Sequence, residues 1–345
     1  MGIGGLMRSI WKRCTLSTAF ALAFALAAHA GEMASYVSFD VPGASGGTFP
    51  QTINDAGDVA GIWDDSLENS HGFIRTFNGG ITAFDVPGAS QTDTTAINSA
   101  DAAAGYYVDA SGNEHSFIFF PAGANFVTFD PHGSAGSSAS GINRKSVVAG
   151  TWWDQNHTLH GYVRAPGGRI TSFDPPGSVG TSSTGINDSG SVCGEYQDAS
   201  GVYHGFTRAA DGTITSIDPK GADGTFIHAI NAKGDVTGEF YRSRIGQAGF
   251  LRTSDGTITV FAFPGKARGN FAQSMSLNRG DFITGFYVPK QFDRDGFLRA
   301  PSGAMKRIRL SGSQVTYAIA INDARVVMGD YADQNGAIHG FLRLP

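Results

Sequence analysis

The chain has 345 residues, a net charge of −5, 48 glycines and 25 phenylalanines, with charged residues at 16% and aromatics at 11%. That composition excludes a coiled coil, collagen, which needs glycine at every third position, and a disordered chain, which would be charged and poor in aromatics. It leaves many short strands joined by tight turns, because glycine supplies turn geometry and aromatics suit pleated, half-buried surfaces.

Residues 1–30 read as an export signal. Arg8, Lys12 and Arg13 form a basic start, an apolar run follows from Leu16 to Ala28, and Ala28-His29-Ala30 offers small residues at a cleavage site. The run is shorter than the roughly 20 apolar residues of a membrane span. Cys14 precedes the apolar run and so does not suit lipid attachment, and no apolar tail precedes Pro345. Cleavage after Ala30 removes three basic residues and leaves 315 residues with a net charge of −8, of which Cys193 is the one cysteine. The expectation is therefore a secreted or periplasmic chain, monomeric, without a disulfide, and with no membrane span once the signal is removed. The acidic balance argues against nucleic acid, whose phosphates need a basic stripe.

From residue 31 onward the sequence repeats. Ile53-Asn54 recurs as Ile97-Asn98, Ile142-Asn143, Ile186-Asn187, Ile230-Asn231, Leu277-Asn278 and Ile321-Asn322, at spacings of about 45 residues. In step with it run His71-Gly72-Phe73, His115-Ser116-Phe117, His160-Gly161-Tyr162, His204-Gly205-Phe206, Ala248-Gly249-Phe250, Asp295-Gly296-Phe297 and His339-Gly340-Phe341. A third landmark, Phe39-Asp40, Phe84-Asp85, Phe129-Asp130, Phe173-Asp174 and Ile217-Asp218, decays to Phe261-Ala262 and then to an unmatched stretch around Arg309.

Each unit divides into four short strands. The first ends at Ile-Asn, where a turn such as Asn54-Asp55-Ala56-Gly57 reverses the chain, since Asn and Asp cap their own turns and Gly takes positive φ. The second carries Val-x-Gly and an aromatic, the third is His-Gly-Phe-x-Arg, and the fourth is Ile-Thr-x-Phe-Asp. No stretch has helical period. Four antiparallel strands at this period make a propeller blade. The chain opens on a lone fourth strand, Tyr36 to Asp40, and finishes on a third strand, His339 to Arg343. The fold class expected is all-β, a single seven-bladed propeller over residues 31–345 in which the N-terminal strand completes the last blade and removes an open edge.

The His-Gly-Phe segments, coming after an Ile-Asn-x-x-Gly-x-Val-x-Gly pattern as in blades one and four, resemble the HAF-family extracellular repeats of bacteria, and the resemblance runs over residues 36–345. Blade two departs from it at Ser116, and blades five and six at Ala248 and Asp295. The resemblance implies export and a propeller-like fold, and it brings no catalytic residue or activity with it.

Candidate chemistry is sparse. The recurring histidines are too far apart around a ring to share a metal ion, so they read as groups bridging turn and strand, and no metal or cofactor is expected. The arginines of Phe-x-Arg, Arg75, Arg164, Arg208, Arg252, Arg299 and Arg343, suggest a repeated contact to a carboxylate of the same blade, with the Phe-Asp aspartate as partner. Asp109 to Glu114 is superficially like a calcium loop but lacks its ligand spacing and reads as a hairpin turn. The better guide is where the repeat breaks. Arg242, Arg244, Lys266, Arg268, Lys290 and Arg294, with Phe292, gather on one face of blades five and six, and such a sector suits an anionic ligand. The expected function is a ligand- or protein-binding module whose partner is an anionic glycan or another cell-envelope protein. The alternative is a polysaccharide lyase or hydrolase. Residues two before Ile-Asn (Gln51, Thr95, Ser140, Thr184, His228, Met275, Ile319) and four before it (Phe49, Asp93, Ser138, Ser182, Phe226, Gln273, Tyr317) are expected near the central channel. Among them only His228 and Asp93 can act as acid or base.

Overall fold

A computed structural model describes residues 34–243, 246–262, 272–289 and 293–345. Alternation of apolar and polar residues, punctuated by Gly-containing turns, gives seven four-stranded antiparallel sheets, six of them with sequence-adjacent strands paired in order. Blade one runs Gly47–Ile53, Val59–Asp64, Ser70–Arg75, Ile81–Phe84. Blade four runs Ser178–Ile186, Val192–Asp198, Tyr203–Arg208, Ile214–Ile217, and blade five Gly224–Ile230, Val236–Arg242, Gly246–Arg252, Ile258–Phe261. Blade six runs Ala272–Leu277, Ile283–Tyr287, Asp295–Arg299, Met305–Ile308. Blade seven takes Val315–Ile321, Val327–Ala332 and Ile338–Arg343 from the end of the chain and Tyr36–Phe39 from its beginning. That last strand pairs antiparallel with Ile338–Arg343 from Tyr36↔Arg343 to Phe39↔Gly340, so the molecule is a seven-bladed β-propeller closed by its N-terminal strand.

The core is divided among seven clusters, each lying between two neighbouring blades. The aromatic of the third strand sits in them: Phe73, Phe117, Tyr162, Phe206, Phe250, Phe297 and Phe341 are all 0% exposed. Burying each such ring stabilises the contact by roughly 2–3 kcal/mol, which explains why one phenylalanine per repeat recurs in the same place. Cys193 belongs to the cluster between blades four and five and is a fully buried filler.

Two local devices shape the inner strands. Every inner strand has a β-bulge that skips one residue of the pairing, and the skipped residue is the one two before Ile-Asn, from Gln51 in blade one to Ile319 in blade seven. A bulge leaves its residue unpaired and re-aims its side chain. The strand carbonyl just above the bulge then presses on the Val-x-Gly glycine. A Cβ on Gly194 would stand 2.0 Å from Ser182 O, and one on Gly329 would stand 1.8 Å from Tyr317 O, so only glycine fits there.

Candidate functional site

The landmark asparagines close a ring at one end of the molecule. Each Asn Nδ2 donates to the backbone carbonyl of the equivalent Asn in the next blade: Asn54 to Asn98 at 3.1 Å, then through Asn143, Asn187, Asn231 and Asn278 to Asn322, which donates to Asn54 O at 3.1 Å. The same side chain's Oδ1 caps its own turn, as when Asn187 accepts from Ser189 N and Ser191 N. One amide thus serves a turn and a blade-to-blade bond, which an ionised Asp, having no donor, could not do.

At the opposite end, five blades close with a side-chain pair. The Nδ1 of His71, His115, His160, His204 and His339 lies 2.7–2.9 Å from Asp85, Asp130, Asp174, Asp218 and Asp40. Each ring also lies against an aromatic of the second strand, as in Trp63 and His71 at 4.4 Å between centroids. The histidines therefore bridge turn and strand as expected. The aspartate at Asp109 likewise caps its hairpin by accepting from Ser111 N and Asn113 N.

The arginines depart from expectation. The Phe-Asp carboxylates are engaged by histidine, and the guanidinium instead covers the Phe of the preceding blade: Arg75 over Phe39 at 4.8 Å, Arg164 over Phe129, Arg208 over Phe173 and Arg299 over Phe261. Burial pushes the pKa of these four arginines down, and the ring face supplies part of the compensation. In blade two, Phe119 stands where the arginine would, and it stacks on Phe84 at 4.2 Å.

Blades five and six break the His–Asp pattern in two ways. Blade five has Ala248 and Ala262 at the two positions, so both partners are absent together. The stretch around Arg309, unmatched in sequence, is in register: Ile308 ends the fourth strand, and Arg309 Nη1 donates to Asp295 Oδ1 at 2.8 Å. The pair is reversed in charge, with the acid in the histidine position. Arg307 adds a second contact to Asp295, which is 1% exposed.

Of the basic sector, Arg244, Lys266, Arg268, Lys290 and Phe292 lie outside the described residues. Arg242 donates to Lys220 O at 2.6 Å and covers Phe240 at 4.7 Å. Arg294 reaches into blade seven, where its carbonyl accepts from Thr316 N and its guanidinium lies 5.9 Å from the Tyr317 ring.

The channel is where matched blades carry unlike side chains. Gln51, Thr95, Ser140, Thr184, His228, Met275 and Ile319, the bulged residues, line a cavity of about 360 Å³. The residues four before Ile-Asn pair instead across the sheet with the residue that follows the Val-x-Gly glycine: Asp93 with Tyr106, Ser182 with Glu195, Phe226 with Glu239, and Tyr317 with Asp330. Burial raises the Asp93 pKa, partly offset by a hydrogen bond with Tyr106. Asp93 and His228 are not brought together.

His228 has other partners. Its Nε2 lies 2.7 Å from Glu239 Oε2, with the His228 side chain 23% exposed and that of Glu239 2% exposed. The two groups form an ion pair when the ring is protonated, and neither atom has another hydrogen-bond partner. Burial works against a charged His228, but Glu239 and then Glu195 outweigh it and raise its pKa. Burial, opposed by His228 and reinforced by Glu239, pushes Glu195 up to about 7, and burial alone does the same to Asp330. Sequence reasoning found His228 but missed these carboxylates. The signal was present in the column after the glycine, where Ile62, Tyr106, Thr151 and Phe286 alternate with Glu195, Glu239 and Asp330.

No protein-family model matches the chain, and no curated protein matches it in sequence. Its fold is found among solved structures. The propeller domain of the Trilobed protease from Pyrococcus furiosus is similar with a TM-score of 0.60 at 8% identity, over 86% of this chain and 94% of that one. That domain has an open velcro topology, whereas here Tyr36–Phe39 closes the last blade. Pyrococcus horikoshii acylaminoacyl peptidase is similar with a TM-score of 0.58 at 12% identity over 85% of this chain, which spans half of that protein. TolB from Acinetobacter baumannii gives 0.50 at 9% identity, over 84% of this chain and 64% of that one. The shared feature is the β-propeller fold. Among the described residues no helix is long and apolar enough to cross a membrane.

Proposed function

We propose that this chain is an exported propeller of the HAF-repeat type that acts as a binding module, secreted or periplasmic and monomeric. Its partner is an anionic glycan or an acidic cell-envelope protein, engaged at the His–Asp end of blades five and six. The observation that carries this reading is the break in symmetry at that end. Five blades close with one and the same pair, blade five lacks it, and blade six reverses it. A ring of matched blades binds one ligand only where the match fails, and the excess of basic residues in the sequence falls on that sector. Screening the full chain against acidic and neutral oligosaccharides tests it. Saturable binding of acidic members should weaken with salt and fall about tenfold in Arg244→Ala and Arg294→Ala. Absence of saturable binding, or binding indifferent to salt and to both substitutions, overturns it.

A second reading, a polysaccharide lyase or hydrolase, is favoured by the contact of His228 with Glu239 in the channel. Turnover of a uronate-containing polysaccharide that disappears in His228→Ala would decide for it.

A further inference from the structure

The His–Asp end also carries an aromatic surface that the repeat does not call for. At the junction of blades four and five, Tyr203, which opens the third strand of blade four, lies 5.1 Å between centroids from Phe226 on the first strand of blade five. Phe226 in turn meets Tyr241, on the second strand of the same blade, edge to face at 5.8 Å. The two tyrosines are 40% and 37% exposed. Matched by register, the same three places hold Ser70, Asp93 and Val108 at the junction of blades one and two, and Leu159, Ser182 and Gln197 at that of blades three and four. No other junction has more than one aromatic among the three. Nor does packing ask for three. Gly224 faces Tyr241 across the sheet, and Phe226 lies against it, with Cε2 3.8 Å from where a Cβ would stand. In blade one Phe49 lies against Gly47 in the same way, with Ile338 and Asp64 in the places of the two tyrosines. One ring covers the glycine, and the two tyrosines are left as surface.

The chemistry changes in steps along the rim from these rings. At the next junction two of the corresponding places carry Gln247 and Gln273, and Gln247 Nε2 donates to Tyr241 Oη at 3.2 Å. At the one after it two of them carry Arg294 and Tyr317, with the guanidinium 5.9 Å from the ring. We propose, resting on the reading of this end as a binding site for an anionic partner, that Tyr203, Phe226 and Tyr241 form the stacking platform for one sugar ring of a glycan whose acidic unit lies toward Arg294. A pyranose presents C–H groups on its faces and hydroxyls around its edge. The faces suit aromatic rings, whose negative π-surfaces attract polarised C–H groups and whose area is offered at little cost in side-chain entropy. The hydroxyls, each donor and acceptor, suit phenol and amide groups, and a uronate carboxylate suits a guanidinium. A proline-rich peptide also stacks on aromatic rings, but its repeating units hold no anionic group for the Arg294 side. With sheets packed about 10 Å apart, the platform and Arg294 are bridged by an oligosaccharide and not by a single sugar.

Titration of the full chain with uronate tetrasaccharides and with their carboxyl-reduced counterparts, which keep the rings and lose the charge, tests it. Tyr203→Ala and Tyr241→Ala should each weaken the tightest-binding uronate probe about tenfold or more at an unchanged melting temperature, and Tyr203→Phe should stay within roughly threefold of the parent. The salt dependence should be the same in both alanine variants as in the parent and shallower in Arg294→Ala. Saturation transfer from aromatic protons should reach the sugar C–H protons in the parent and weaken when both tyrosines are replaced. Unchanged affinity in both alanine variants, with binding still lost in Arg294→Ala, overturns the platform and leaves the anionic reading standing. Equal, salt-indifferent binding of the carboxyl-reduced probes that is lost in Tyr203→Ala supports the platform and removes the anionic reading. No saturable binding of any probe, or preference of the rings for a proline-rich peptide over every saccharide, overturns the proposal.

Discussion

At the asparagine end of the blades, the bond that recurs between every pair of neighbours runs from a side chain to a backbone carbonyl, and all seven of its donors are asparagine. At the histidine end, each blade is closed by two side chains, and the pairs vary: five His–Asp, one Asp–Arg and one Ala–Ala. The difference lies in the acceptor. A backbone carbonyl is the same whatever the residue, so the donor facing it has no partner that could change with it. A pair of side chains can change together, and blade six shows both halves replaced with the attraction kept. One end therefore holds the ring at a fixed count, and the other is free to differ from blade to blade.

The largest effect expected from breaking this contrast is at the asparagine end. Asn187→Ala removes two turn-capping bonds and the bond to Asn231 O at a position 6% exposed. It should cost about 3 kcal/mol in denaturant unfolding. His204→Ala, at the other end of the same blade, should cost about 1 kcal/mol or less, because its side chain is 24% exposed and its partner Asp218 38%. Equal losses would show that the two ends are equivalent.

Between the ends, the inner column should govern the response to pH. Asp330 is pushed up to about 7 by burial, so from the ordinary carboxylate range to about pH 7 the folded chain holds a proton that the unfolded chain releases. Stability from this group must fall as pH rises across that window. Asp330→Asn should therefore stabilise the protein by on the order of 3 kcal/mol at pH 8 and little at pH 4. Thermal melts at the two pH values check both size and sign. The smallest effect sharpens the contrast by restoration: Ala248→His with Ala262→Asp rebuilds the pair in blade five. Each change alone should be near neutral, and the two together should gain about 0.5–1 kcal/mol.

The propeller, its blade count and its closure were legible because the landmarks recur with little change and the terminal strands complement each other. The partners of the landmarks were less so. A motif present in every blade has the same sequence offset to its own blade as to the next, give or take one period, so periodicity does not say which of the two it touches. Arg75 shows this: its carboxylate in Asp85 belongs to His71, and its actual neighbour is Phe39 of the preceding blade. The swap at Asp295 and Arg309 looked like decay because each residue was compared with its column and not with the other. Glu195 and Glu239 escaped notice because their significance depends on burial, which the sequence does not display, and on a bulge that turns His228 towards the channel.

The amide bonds of the asparagine ring all point the same way around, and the last returns to the first. A closed circuit of this kind has no beginning. The order in which the blades follow one another along the chain is thus an accident of where the polypeptide was opened, and the strand Tyr36–Phe39 shows where that opening lies. Cutting the ring instead at a turn between other blades, with the present ends joined, would leave every one of these bonds with the partner it has now.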